Sequence, residues 1–375
     1  MRWFGKAARP EARPALARGF AAAGGGDWPQ GYEAQLRAAY LGNPVAQRAV
    51  RLVAEGAASV PVAVTPEGHR AGALIAGGDQ GGPLIETMAA QLLLHGNAFV
   101  QILADADGAP AELFALRPER VTIEPDARGW PQAYLYRAGG QTLRLAARGG
   151  DGRPGLIHVR GLNPLDDHYG LGCLAAAAGP VAIHNAATRW NKALLDNAAR
   201  PSGALVYEPG EPGATLSAEQ FERLRREMDA SFAGAGNAGR PLLLEGGLRW
   251  QPLSLSPADM DFIGLKAAAA RDIALAFGVP PMLLGLPGDS THANYSEANR
   301  ALWRLTILPL VGKMLDALAA GLRGWWPELA LRPALDAVPA LAADRERIWA
   351  QVAQADFLSG TEKRAMLGLA RAEEA

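Results

Sequence analysis

The sequence predicts an α+β fold, and three observations carry that prediction. Residues 40 to about 168 mix helical periodicity with short strand patterns separated by Gly- or Pro-containing turns. From Leu174 onward the strands give way to Ala-rich helical stretches, and between two of these sits a β-α-β-β insert of about fifty residues. At 375 residues the chain can bury a large core, and a prior of ~150 residues per domain suggests two or three domains. A hydrophobic fraction of 49% with 20% charged residues describes a globular chain.

The elements follow in order. In "NPVAQRAVRLVAEGAASVPVAV", Asn43 is a helix cap, Pro44 has its φ preset for the first turn, and Val45, Ala49, Leu52 and Val53 form one stripe. A strand over Val60 to Val64 follows. Residues 84–95 read as a second helix, and "NAFVQIL", "LFAL", "RVTIE", "AYLYRA", "TLRLA" and "GLIHVRG" read as strands of a largely antiparallel sheet. Leu174 to Ala199 form a helix that Pro180 should restart or kink.

In the insert, Ser217 and Gln220 make a capping box, and Phe221, Leu224, Met228 and Phe232 make a stripe expected to pack on the insert's strands, leaving Arg223, Arg225 and Arg226 outward. Ser256-Pro257 with Asp259 starts the next helix, which ends at Gly278. Asn294 with Glu297 caps another, with a bend at Pro309. "WWPELALRP" returns a strand to the first sheet, and two short helices from Asp344 to Leu369 close the chain.

Composition narrows the function. The net charge of −1 gives no global basic field, so tight phosphate neutralisation is not the mode of any nucleic-acid contact. The single cysteine, Cys173, cannot form an internal disulfide and reads as a small core residue. Arg2, Lys6, Arg9, Arg13 and Arg18 make the N-terminus a flexible basic tail, with no apolar run of the signal-peptide kind behind them. The uncharged run Gly170 to Thr188 is Ala- and Gly-rich, contains Pro180, His184 and Asn185, and does not read as a membrane span.

Motifs that mimic chemistry fail on context. "GAGNAG", Gly234 to Gly239, has dinucleotide-fingerprint spacing but follows a helix and precedes a strand, the reverse of what a pyrophosphate site needs, so it reads as a hairpin tip. The histidines show no metal-ligand spacing, and "LDDHYG" reads as a solvated turn, so no metal or cofactor is expected. Trp325 and Trp326 should divide between core and surface. The loop "GLPGDSTHANYSEANR" places Asp289, Ser290 and His292 side by side. A hydrolase triad needs such groups converging from separate positions, so Ser290 and His292 make the chain a hydrolase only as an alternative; a cytosolic structural adaptor is the other.

The blocks "NPVAQRAVRLVAEGAASVPVAV", "HGNAFVQIL", "LFALRPERVTI", "GLIHVRGLNPLDDHYGLGCL", "DNAARPSGALV", "DMDFIGLKAAAARDIALAFGVPPMLLG" and "NYSEANRALWRLTILPLV" resemble, in order, the motifs of HK97-type portal proteins of tailed phages and gene transfer agents, over residues 40 to 369. The resemblance implies a non-enzymatic portal-type subunit: an N-terminal tail (1–31), wing (32–170), stem helix (171–200), clip (201–255), second stem helix (256–278), tunnel loop (279–294), tunnel helix with a return to the wing (295–338), and a short crown (339–375). It implies a dodecameric ring at one capsid vertex of a virion or gene transfer agent particle, assembled in the bacterial cytoplasm. Double-stranded DNA would pass through it without sequence preference, and terminase, head-tail adaptor and major capsid protein would be partners, with no membrane. Gly288, Asp289, Ser290, Thr291, His292, Ala293 and Asn294 would then face the DNA, and Arg223, Arg225 and Arg226 the adaptor. The loop has no Lys or Arg before Arg300, so it suits sliding better than gripping.

Overall fold

The computed structural model describes residues 16, 31–77, 84–196, 203–208, 216–232, 248–252, 262–286 and 292–367. The basic tail, the GAGNAG motif and the expected start of a helix at Ser256 lie outside these residues. Leu16, the one described residue before position 31, donates its N–H to the Arg128 carbonyl at 3.1 Å.

The part expected to be the wing opens with α1 (Tyr32–Leu36), which continues as a π-helical turn over Arg37–Leu41, and α2 (Pro44–Ala58). Asn43 caps α2 as its sequence predicts, its Oδ1 accepting from the N–H groups of Val45 and Ala46 at 3.0 Å each. Next come β1 (Val62–Thr65), α3 (Ala71–Ala76), α4 (Leu84–Leu94), and strands β2 (Asn97–Ala104), β3 (Pro110–Leu116), β4 (Val121–Pro125), β5 (Pro131–Ala138), β6 (Gln141–Ala146) and β7 (Leu156–Arg160).

The expected single sheet is divided. The order β3-β2-β7 forms one antiparallel sheet and β4-β5-β6 another. The split falls between β3 and β4, where the chain makes a 3-10 turn at Pro118–Arg120; Pro118 lacks the N–H that would carry a ladder onward. The two sheets share a small cluster, with Phe99 and Leu116 from the first and Ile123 and Tyr134 from the second, while α2, α4 and the other face of β2 feed the main core.

The expected first stem helix is α5 (Cys173–Asp196), which runs through Pro180 as one helix, so Pro180 does not restart it. Cys173 is half-buried against the main core. The insert contributes β8 (Gly203–Tyr207), α6 (Ala218–Phe232) and β9 (Leu248–Pro252), with β8 and β9 paired antiparallel from Gly203↔Pro252 to Tyr207↔Leu248. The middle strand expected there lies outside the described residues. The expected second stem helix, α7 (Phe262–Ala276), packs on α5, buries Ala269 and Ala270, and is followed by Gly278 with φ +65°.

A long helix returns to the wing as α8 (His292–Leu302), a π-helical turn (Trp303–Ile307) and α9 (Leu308–Leu322). The bend expected at Pro309 takes the form of that π turn. Proline offers no N–H to the carbonyl four residues back and its ring crowds that carbonyl, so the preceding turn widens. Among the described residues this helix alone is long and apolar enough to cross a membrane, yet Val311, Met314, Leu315, Leu318 and Leu322 are buried in the protein core. The strand β10 (Ala330–Pro333) pairs with β1, the return the sequence predicts, and α10 (Ala342–Gln354) and α11 (Gly360–Met366) finish the chain.

Candidate channel segment, clip surface and stem joint

The segment between α7 and α8 is shorter than the expected loop. Pro281–Leu284 form a 3-10 turn, and α8 begins at His292, so His292, Ala293 and Asn294 stand in its first turn and not in the loop. The helix starts two residues before the expected Asn294 cap, and Glu297 Oε1 accepts from Arg300 Nη1 at 2.9 Å. Asn294 and Tyr295 are exposed. Gly288, Asp289, Ser290 and Thr291 lie outside the described residues.

Both ends of this segment are fastened. On one side Thr306 Oγ1 donates to the Gly278 carbonyl at 2.7 Å, tying the π turn to the end of α7. On the other, Asp344 of α10 gathers three guanidinium groups: Arg347 at 2.7 Å, Arg300 at 3.6 Å and Arg304 at 3.8 Å. The Asp344 and Arg300 side chains are only 19% and 18% exposed, so this contact is screened less than a surface pair. Asp344 therefore joins the C-terminal helices to the far end of α8 and the π turn that follows it.

The clip surface forms as its local signals predict at the helix start. Gln220 N–H donates to Ser217 Oγ at 3.2 Å and Ser217 N–H donates to Gln220 Oε1 at 2.9 Å, the two halves of a capping box. Arg223, Arg225 and Arg226 are exposed; Arg225 binds Glu222 Oε1 at 3.3 Å and Arg226 Nε donates to the Glu222 carbonyl. The apolar stripe departs from expectation. Phe221 is 54% exposed and Leu224 half-buried, while the side chains of Met228 and Phe232 lie outside the description. Position 221 sits in the first turn of α6, at the end of the stripe.

The residues that fix the chain where it enters α5 were not singled out from the sequence. Asn97, fully buried at the start of β2, accepts from the Gly170 N–H at 2.7 Å and donates to the Gly170 carbonyl at 3.1 Å. The main-chain N–H must donate, so the amide orientation is fixed, and Asn97 Oδ1 takes its second hydrogen bond from His158 Nε2 at 3.0 Å. His158 stacks on Phe99 at 4.2 Å between centroids, and burial, with Arg160 next in effect, holds its pKa down to about 3. Around this amide the backbones touch. Gly161 N–H donates to the Gly96 carbonyl at 2.7 Å, and a Cβ on Gly170 would fall on that same carbonyl.

A second joint lies one layer away. Asn43 Nδ2 donates to Asn185 Oδ1 at 2.9 Å and approaches His184 Nδ1 at 3.1 Å, so His184 accepts and is neutral. Burial and then Lys266 push the His184 pKa down. The visible signal was there, since "HGN", "GLG" and the Asn43 cap all stand in the sequence. The pairing of residues far apart in the chain was not readable from spacing.

The remaining motifs have plain structural roles. Asp166 Oδ1 accepts from the N–H groups of His168 and Tyr169, so the LDDHYG stretch is a turn. Trp325 and Trp326 do not divide between core and surface; both are half-buried, each beneath an arginine, Arg153 and Arg70 respectively. Among the described residues no group of His, Cys, Asp or Glu is arranged to hold a metal ion.

This arrangement of α+β wing, paired stem helices, antiparallel clip hairpin and long returning helix has counterparts. The profile of the family described as phage portal protein matches residues 44–368. The chain belongs to the phage portal protein family. It is similar, at 46% identity and a TM-score of 0.72, to a chain in the neck of an empty gene transfer agent particle, over 92% of this chain and 95% of that one. The neck of a native gene transfer agent particle, computed with twelvefold symmetry, gives 46% identity and a TM-score of 0.71 over 92% and 96%. A portal protein of the HK97 family from Corynebacterium diphtheriae, 18% identical with a TM-score of 0.57 over 84% and 99%, shares the fold. As a portal protein the chain is a structural component of the particle's portal vertex, not an enzyme, and works as a homo-oligomeric ring.

Proposed function

We propose that twelve copies of this chain form a ring at one capsid vertex of a gene transfer agent particle, and that double-stranded DNA enters and leaves through it. The supporting observation is the 46% identity to the twelvefold neck, extending over nearly the whole of both chains. Residues 285–294 would line the passage. Their lack of Lys and Arg favours sliding, because each phosphate held by a cation releases counterions and strengthens binding. Terminase would dock during packaging and the head-tail adaptor afterwards, with Arg223, Arg225 and Arg226 on the clip offering the adaptor an exposed cationic face. The major capsid protein would surround the wing.

The test is microscopy of the particle vertex with the chain tagged, together with its mass in solution. A ring of twelve tagged copies with an axial opening is expected. Intact particles containing the chain only as a monomer would overturn the proposal.

A further inference from the structure

The chain at α5 is held at two points, and at each an asparagine amide donates to a histidine nitrogen. In the α4–β2 turn, His95 Nδ1 stands 3.1 Å from Asn97 Nδ2, the same nitrogen that donates to the Gly170 carbonyl just ahead of α5. On α5 itself, His184 Nδ1 stands 3.1 Å from Asn43 Nδ2, which also donates to Asn185 Oδ1 at 2.9 Å. Asn185 in turn donates to the Ala38 carbonyl at 2.8 Å, so this contact extends to the π-helical turn after α1. Asn43, Asn97 and His184 are buried, and His95 is half-buried.

The direction of these bonds is fixed. Each amide oxygen accepts from main chain: Asn97 Oδ1 from the Gly170 N–H, and Asn43 Oδ1 from the N–H groups of Val45 and Ala46. A main-chain nitrogen can only donate, so Nδ2 faces the imidazole in both places and the facing Nδ1 must carry a lone pair. A proton added there sets N–H against N–H, and a buried amide loses its acceptor. His158 differs, because it meets Asn97 Oδ1 as a donor through Nε2, and a proton on its other nitrogen reverses no bond.

We infer that His95 and His184 form a proton-operated latch on α5. Neutral, they accept from Asn97 and Asn43 and hold the helix to the starts of β2 and α2; protonated, they repel both amides and let α5 loosen while the sheets stay folded. The groups around each imidazole agree with that direction. His95 meets the Tyr32 ring edge-on at 4.7 Å, with Glu119, its ion-pair partner Arg117 and His158 of β7 nearby; burial lowers its pKa and Glu119 opposes the shift. For His184, burial and then Lys266 of α7 lower it. In the opened latch both imidazoles titrate near 6.5, so falling pH favours the open form, by up to about tenfold per pH unit for each. The latch lies within one chain and works whether or not copies assemble.

Hydrogen exchange on the full-length protein, read by mass spectrometry and corrected for the intrinsic rate at each pH, tests the latch. Between pH 7.5 and pH 5, protection of peptides within 173–190 should fall at least tenfold while peptides of β4 and β5 keep theirs. Cys173, half-buried in the first turn of α5, should react with 4,4′-dithiodipyridine at least tenfold faster, relative to the unfolded chain at the same pH. His184→Gln, whose amide oxygen accepts at any pH, should abolish the loss around residues 181–190 and leave that near 173; His95→Gln should do the reverse. His158→Phe should leave both losses in place. Constant α5 protection down to pH 5, a loss shared equally by β4 and β5, or the full loss persisting in both glutamine variants would each overturn the inference. The first two outcomes are read on the parent protein, so they decide the matter even where a glutamine variant fails to fold.

Discussion

Replacing Asn97 by alanine deletes the side chain that bonds both main-chain groups of Gly170, and leaves His158 Nε2 without its acceptor. Buried polar groups stripped of partners cost on the order of 3 kcal/mol together, so Asn97→Ala should lower the melting temperature by several degrees in a thermal scan. An unchanged melt would show that water replaces the amide without loss. The histidines give a second expectation at this scale. The pKa of His158 is held down to about 3 by burial and that of His95 is also lowered by burial, while in the unfolded chain both titrate near 6.5. The unfolded state therefore binds protons first as pH falls, so stability is full above pH 6.5 and declines from there toward pH 3. The slope is up to about 1.4 kcal/mol per pH unit for each such histidine. His158→Phe, which keeps the ring stacking, should flatten the dependence of urea midpoint on pH across that window. An equally steep dependence would place the acid sensitivity elsewhere.

Among the elements, α10 depends on Asp344 more than on its own few buried contacts, since Val352 is its only fully buried residue. Asp344→Asn removes the shared counter-charge of Arg300, Arg304 and Arg347 and should cost about 2 kcal/mol, seen as faster proteolysis after residue 338 with the wing intact. Reversing charge at Arg223, Arg225 and Arg226 should leave rings unchanged and reduce tail attachment, counted on particles by electron microscopy. Full attachment would remove these arginines from the adaptor contact. Local chemistry explains which elements were legible. Asn43 before Pro44, and Ser217 three residues before Gln220, act through the first turn alone, and both caps form. Asn294 and Glu297 have the same spacing, yet the helix starts two residues earlier, at His292. Each strand could be read from its alternation. The division into two sheets could not, because pairing of β2 with both β3 and β7 is decided by partners up to sixty residues away.

For the molecule as a whole, residues 285–291 lie between two fastened ends, Thr306 on Gly278 and Asp344 on Arg300, so the segment can be shortened without unseating either. Deleting Asp289 to Ala293 should therefore preserve rings while lowering DNA content per particle, whereas Ser290→Ala or His292→Ala alone should change little. A single substitution as damaging as the deletion would give the loop a specific chemical role. That α7 stops near Gly278 was legible because Gly278 and the two prolines after it break a helix. The contacts around Gly170 were not, because Asn97, Gly96 and Gly161 meet it from distant parts of the chain, partly through main chain alone. Where Gly161 meets Gly96 and Gly170 packs on the same carbonyl, the two strands of chain lie as close as backbones can, and no side chain intervenes to be lengthened or turned. Such a crossing has almost no tolerance. In a lone protein that would matter little, but around a ring an angular error in each copy is added to that of the next, and the last copy meets the first only if the sum is a full turn.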